Sequence, residues 1–315
     1  MTTQVRPYRG TDEAGLVRLW NASMIYDRIN VTVLRTRVLL DPNLHPDTLL
    51  VAADNGGAPA GFVLAIRRRV PLFLQGLEPE LGWITAFGVL PERRRQGIGR
   101  RLFAAALDRL AAAGCRTVLI APYTPNYFIP GVDPDAYPEA MKFLEKLGWE
   151  QQAAPVSMRA ELTGFQIPLE VEALAQRLSS EGIEIRPVTA ADLPDLMPFI
   201  AETFSWDWYR FAQEYLLELF GRGADDLCFL VAVQGGRIVG YCQQRRERFG
   251  PFGVHPSLRN QGIGRVLLFR CLADMLTKGF HCAWFLWTGR DAARLYEMAG
   301  FHTVRRFAVM RYVVP

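Results

Sequence analysis

Lysine is scarce in this chain: of 36 basic residues only Lys142, Lys146 and Lys278 are lysines. Histidine is scarce as well, with four residues. The five cysteines, Cys115, Cys228, Cys242, Cys271 and Cys282, are odd in number and form no C-x-x-C pair. That argues against a disulfide framework or a zinc site, and no metal is expected; the cysteines read as buried free thiols in a reducing compartment. No apolar run approaches the ~18 residues needed to cross a bilayer. The opening Met1-Thr2-Thr3-Gln4-Val5-Arg6-Pro7 has no apolar signal region. The expectation is a cytoplasmic protein without a membrane partner. The net charge is only +4, and the arginine runs at 67–69, 93–95 and 245–246 are short and scattered. Nucleic-acid binding, which wants a concentrated basic face with stacking aromatics, is not expected.

What the chain does have is a repeat. Val89-Leu90-Pro91-Glu92-Arg93-Arg94-Arg95-Gln96-Gly97-Ile98-Gly99-Arg100-Arg101-Leu102 returns 165 residues later as Val254-His255-Pro256-Ser257-Leu258-Arg259-Asn260-Gln261-Gly262-Ile263-Gly264-Arg265-Val266-Leu267, without a gap. That period is too long for a solenoid unit and has the size of a domain. The 315 residues, half of them apolar, suffice for two full cores.

Each copy sits in the same pattern of predicted elements. The first half opens with a short strand at Val5–Pro7 and a helix from Glu13 to Met24. Strands follow at Leu49–Ala53 and Ala60–Arg67 around Asn55-Gly56-Gly57, then at Trp83–Val89. A helix over Gly99–Ala113 ends at Gly114, and a strand at Thr117–Ala121, a helix at Pro138–Leu147 and a strand at Val156–Leu162 close the half. The second half repeats this order from Ile185, through a central strand at Phe249–Val254, to a last strand at Phe307–Val313. Leu169, Ala173, Leu174 and Leu178 have helical spacing between the halves. The division expected is 1–163, a linker helix at 164–183, and 184–315.

Arg-x-x-Gly-x-Gly between a strand and a helix makes an anion seat. Two glycines bare the backbone N–H groups, and the following helix points its positive end at the same place. The dinucleotide fingerprint needs a third glycine where Leu102 and Leu267 stand, and a P-loop needs a lysine that neither copy has. A tight turn used only for packing is the bland alternative, against which two copies in matched contexts weigh. With its preceding V-x-P, the motif resembles that of the GNAT family of N-acetyltransferases. The resemblance covers nearly the whole chain, as two tandem domains of α+β class with a mixed sheet. It implies acetyl-CoA as donor. The implied contacts are Phe87, Val89 and Arg94, Arg95, Gln96, Gly97, Ile98, Gly99 and Arg100 in one copy. In the other they are Phe252, Val254 and Arg259, Asn260, Gln261, Gly262, Ile263, Gly264 and Arg265.

The same family often carries an Asn-x-x-Ala-x-x-Leu-Tyr segment whose tyrosine protonates the departing thiolate. Ala292-Ala293-Arg294-Leu295-Tyr296 matches it, whereas Leu144 holds the tyrosine place in the first half. The resemblance therefore implies catalysis in the second half, with Tyr296 as general acid. Glu247, just before the central strand, is the candidate base. The first half carries about 13 extra residues, Tyr123 to Asp135, and Tyr127 or Tyr137 is the alternative acid there. A non-catalytic acyl-CoA sensor is the alternative in another class. The acceptor is expected to be a small-molecule or peptide amine. The acidic, aromatic stretch 202–226 would favour a cationic one. The assembly expected is a monomer with pseudo-dimeric domains or a homodimer.

Overall fold

The computed structural model describes residues 3–315 other than 121 and 224, with side chains throughout except at 290 and 291. The expected strand end at Ala121 thus lies outside the described residues. In chain order the elements are β1 (Gln4–Pro7), α1 (Glu13–Ser23), α2 (Val31–Leu34), β2 (Leu49–Ala53), β3 (Pro59–Ile66), β4 (Leu81–Val89), α3 (Ile98–Ala112), β5 (Thr117–Ile120), α4 (Pro138–Lys146) and β6 (Glu150–Ala153). There follow β7 (Val156–Glu161), α5 (Leu169–Ser180), β8 (Ile183–Pro187), α6 (Leu193–Thr203), α7 (Trp206–Arg222), β9 (Leu227–Gln234), β10 (Arg237–Arg245) and β11 (Arg248–Val254). The chain ends with α8 (Ile263–Thr277), β12 (Cys282–Thr288), α9 (Arg290–Glu297), β13 (His302–Arg306) and β14 (Val309–Val313).

The chain forms two compact units. The first comprises Met1–Pro155 with Arg306–Pro315, and the second comprises Val156–Arg305. Each holds a mixed seven-stranded sheet, of order β1-β2-β3-β4-β5-β14-β6 in the first and β13-β7-β12-β11-β10-β9-β8 in the second. Period-two alternation places a core on both faces. Ala60, Val63 and Ala65 of β3 pack with Leu102, Phe103 and Leu110 of α3. Phe62, Leu64 and Ile66 face the other way, onto Leu16, Leu19 and Trp20 of α1. In the second unit Cys228, Leu230 and Ala232 of β9 join the α8 core. Leu227, Phe229 and Val231 join that of α6 and α7. All five cysteines are buried free thiols.

The units divide the chain differently from the sequence expectation. The strand at 156–161, expected to close the first half, pairs with β12 in the second sheet, from Cys282↔Glu161 to Thr288↔Val156. The last strand of the chain lies in the first sheet. There β14 pairs with β5 (Met310↔Ile120, Tyr312↔Val118) and with β6 (Val309↔Ala153, Arg311↔Glu150). Each strand buries apolar residues in the core it joins: Met158 and Ala160 in the α8 core, Met310, with Ala308 just before the strand, in the α3 core. Nor is 164–183 a free linker, because Val171, Ala175 and Leu178 of α5 belong to the second unit's core.

The duplication extends to the helix entries. Arg6 holds Asp12 bidentately, at 2.6 and 2.8 Å, and Arg186 holds Asp192 at 2.7 Å through both nitrogens. Asp192 also accepts from the backbone N–H and hydroxyl of Thr189. The Arg186 guanidinium, seconded by these Thr189 donors, holds the Asp192 carboxyl well below the usual carboxylate range. A carboxyl whose folded pKa is depressed stabilises fully above its unfolded value and loses that contribution as pH falls. Asp192→Asn is therefore expected to cost about 1–2 kcal/mol at pH 7. Paired denaturant titrations of parent and variant should converge as the pH drops below about 4; a gap that persists at acid pH would refute the role of the charge.

Candidate functional site: two glycine loops and one open cleft

The two glycine loops have nearly the same backbone. Arg94 and Arg259 are extended, with φ −67° and −65°. Arg95 and Asn260 are left-handed, at 62° and 64°. Gly97 and Gly262 cap α3 and α8 at φ 76° and 93°. The repeat thus encodes one conformation, an arch that ends in a helix start whose first N–H groups have no helical partner.

In the first unit this arch opens on a cavity of about 720 Å³. A Cβ on Gly97 would meet nothing within 4 Å. Gly97, Arg94, Arg95, Gln96 and Arg100 are all exposed. Arg95 makes a long ion pair with Glu139, at 3.4 Å. The strands beside the loop explain the cleft. β4 and β5 pair in parallel over Leu81–Trp83 against Thr117–Leu119, and β4 then runs on to Val89. Thr85, Phe87 and Val89 of β4, Ile120 of β5, Met24 and Ile25 after α1, and Ile129, Val132 and Tyr137 of the long loop line the cavity.

Tyr137 enters this wall at the start of α4, with Pro138 at the first helical position. Its hydroxyl donates to Asp27 Oδ2 at 2.6 Å and accepts the Tyr26 amide at 3.1 Å. A buried network fixes the loops nearby. Tyr123 donates to Asp41 at 3.0 Å, and Asn126 donates to the other Asp41 oxygen at 2.7 Å. Asn43 accepts the amides of Arg69 and Val70, at 2.7 and 2.8 Å. Burial, then the neighbouring Asp41 carboxylate, pushes the Tyr123 phenol up, so that it stays a donor.

In the second unit the same arch is covered. A Cβ on Gly262 would lie 2.7 and 2.8 Å from the two methyl groups of Leu174 on α5. Arg177 of α5 donates to the Gln261 carbonyl at 3.0 Å, and Glu170 pairs with Arg265 at 2.6 Å. Gly262, Gln261 and Arg265 are only half-exposed, unlike Gly97, Gln96 and Arg100. The space beside β11 is aromatic. The rings of Phe204 and Trp208 stack 4.8 Å apart, and a Cβ on Gly253 would lie 2.5 Å from Phe204. The equivalent Gly88 faces Ser23 and Phe62.

The sequence-expected acid and base fall in different surroundings. The Tyr296 ring lies 4.4 Å from Phe285, 5.6 Å from Phe252 and Phe301, and 6.0 Å from Phe249. Burial among these rings, with Cys242 adding a little, pushes its phenol up. Glu247 is exposed in the turn before β11. It lies seven residues before Val254, about 20 Å of strand from the end of β11 that leads into the glycine loop. Tyr127 lies outside the cavity wall, where its carbonyl accepts from Arg37 at 2.6 Å. In the acidic stretch 202–226, Asp207 and Glu214 pair with Arg210, Glu218 with Arg245 and Asp226 with Arg246, while Phe204, Trp208, Tyr209, Phe211 and Tyr215 belong to or pack against the core. Asp27 and Tyr26 escaped the sequence reading because no motif marks them; only the fold brings them to Tyr137.

The two glycines should respond differently to a methyl group. Gly97→Ala carries only the backbone cost of φ > 0, about 1–2 kcal/mol. Gly262→Ala adds a collision with Leu174 and should lower the melting temperature further. Equal losses in thermal denaturation would contradict the cover.

The profile of the acetyltransferase (GNAT) family matches residues 16–149 and 193–301. No sequence among the curated proteins matches the chain. Among solved structures it resembles the glucosamine N-acetyltransferase region of a fungal multi-domain GH3 β-N-acetylglucosaminidase, with TM-score 0.80 and 19% identity over 99% of this chain. This chain spans 38% of that fungal protein. It also resembles a GCN5-related N-acetyltransferase from Sphaerobacter thermophilus (TM-score 0.67, 20% identity, covering 99% of this chain and 96% of that one). A tandem GNAT protein of the clavulanic acid biosynthesis pathway is similar over 99% of both chains, with TM-score 0.64 and 15% identity. These likenesses concern the fold, and the family match spans both halves: the chain belongs to the GNAT family of acetyltransferases, as two GNAT domains in tandem.

Proposed function

We propose that this transferase moves an acetyl group from acetyl-CoA to the amine of a small molecule or peptide, and that it does so in the first unit. The observation that carries the reading is the contrast between the loops: Gly97 opens on a cavity, whereas Gly262 lies under Leu174. The open arch fits an acyl-CoA donor. Its N–H groups at Gly97, Ile98 and Gly99, at the start of α3, would hold the pyrophosphate, with Arg94, Arg95 and Arg100 adding charge. The apolar walls at Ile84, Ile120 and Val132 would keep water from the thioester. The donor supplies an activated acyl carbon.

In this reading the acid is Tyr137, in place of Tyr296, and Asp27 is its partner. A neutral amine attacks the thioester carbon, the C–N bond forms, and the C–S bond breaks. Asp27 takes the proton from the amine nitrogen, and Tyr137 gives its phenolic proton to the sulfur. The pair resets when Asp27 returns a proton to Tyr137 across their 2.6 Å contact. A phenol near pKa 10 gives its proton to a thiolate near 8.5 at a cost of about 2 kcal/mol. The Tyr26 amide, already on the Tyr137 oxygen, and the proton on Asp27 offset that cost by holding the phenolate.

Calorimetric titration with acetyl-CoA should give one site per chain, lost in Gly97→Glu. Two sites, or one that survives Gly97→Glu, would overturn the assignment. With a panel of amines and CoA release as the readout, Tyr137→Phe should lower kcat by roughly 10²–10³-fold without changing donor affinity. Tyr296→Phe should leave kcat within about twofold; the reverse pattern would return catalysis to the second unit.

A further inference from the structure

The loop that presents Tyr137 is held by the end of the chain. Val132 and Ala308 exchange both backbone hydrogen bonds, at 2.9 and 2.7 Å. Gly131 lies so close that a Cβ there would fall on the Ala308 carbonyl oxygen, with Ala308 C at 2.7 Å and Val309 N at 3.0 Å. These are backbone atoms, which cannot rotate aside. From this anchor the chain reaches Tyr137 through one turn. Asp133, 4% exposed, accepts the Asp135 and Ala136 amides at 3.0 and 2.9 Å. The Asp133 carbonyl accepts the Tyr137 amide at 2.8 Å. Behind the anchor Phe307 is 1% exposed and donates its amide to Pro155 at 3.0 Å. The β14 strand continues the hold between β5 and β6.

We infer that the Gly131–Val132 backbone, clamped on Ala308, is a positioning element that aims Tyr137 into the cleft, so that the first unit's site is complete only when residues 306–315 are in place. This rests on the proposed role of Tyr137. Residues 306–315 follow Val156–Arg305 in the chain yet belong to the first unit, so that unit's site is finished by a segment 170 residues and more beyond the loop it clamps. Gly131 is then needed for contact: its role is close approach of two backbones, and no side chain fits.

The test is Gly131→Ala in the full chain, read by kcat, donor Kd and hydrogen exchange of residues 128–137. The added methyl should loosen the loop and lower kcat at least tenfold, with donor Kd within twofold. Gly131→Ala and Tyr137→Phe should be strongly non-additive, because one acts through the other. Faster exchange in 128–137 with kcat unchanged would overturn the inference, as would full additivity of the two variants. If Gly131→Ala does not fold, Ala308→Pro removes the Ala308 amide donor, and the same readouts apply. The underlying assignment fails separately: Tyr137→Phe would then be silent by itself, while Gly131→Ala could still lower kcat.

Discussion

The methyl groups of Leu174 lie where a side chain on Gly262 would have to be, and the proposed division of labour in this chain rests on that contact. Both glycine loops carry the same left-handed residues and the same helix start. Backbone conformation alone therefore makes them equal as anion seats. What separates them is one amphipathic helix, which adds a leucine over the glycine, an arginine on the loop carbonyl and a glutamate on the helix arginine. The Glu170 carboxylate occupies the electrostatic role that a phosphate would otherwise take at Arg265. In the first unit the matching Arg100 is left exposed, and the charge of the arch stays available.

Much of this architecture was legible in the sequence, for a local reason. A glycine loop that needs φ > 0 at fixed positions tolerates few residues, so its duplication survives as Gln-Gly-Ile-Gly-Arg in both halves. The strand expected at Ala60–Arg67, found at Pro59–Ile66, and the stop at Gly114 after α3 are local features as well. The fold class follows from them. The allocation of strands was not legible. Residues 156–161 and 309–313 are both short apolar strands at the end of a half, and nothing within six residues records which sheet each joins.

The site was legible in part, along the same divide. The glycine loop is one continuous segment, so its conformation could be expected residue by residue, from Arg94 to Gly99 and from Arg259 to Gly264. The cover on Gly262 comes from a residue 88 positions earlier in the chain, and the partner of Tyr137 from 110 positions earlier. Both are contacts that only folding creates. The motif around Tyr296 pointed to the second half, yet a motif cannot report that its tyrosine packs among four phenylalanines. The long loop 123–135 was singled out for its tyrosines. The same loop carries Gly131, whose lack of a side chain lets the Ala308 backbone lie against it.

A crystal structure of the protein soaked with CoA tests the central claim most directly. The account predicts a pyrophosphate on the amides of Gly97 to Arg100, with Leu174 still seated on Gly262. CoA bound at Gly262 with helix α5 displaced, and nothing at Gly97, would contradict it.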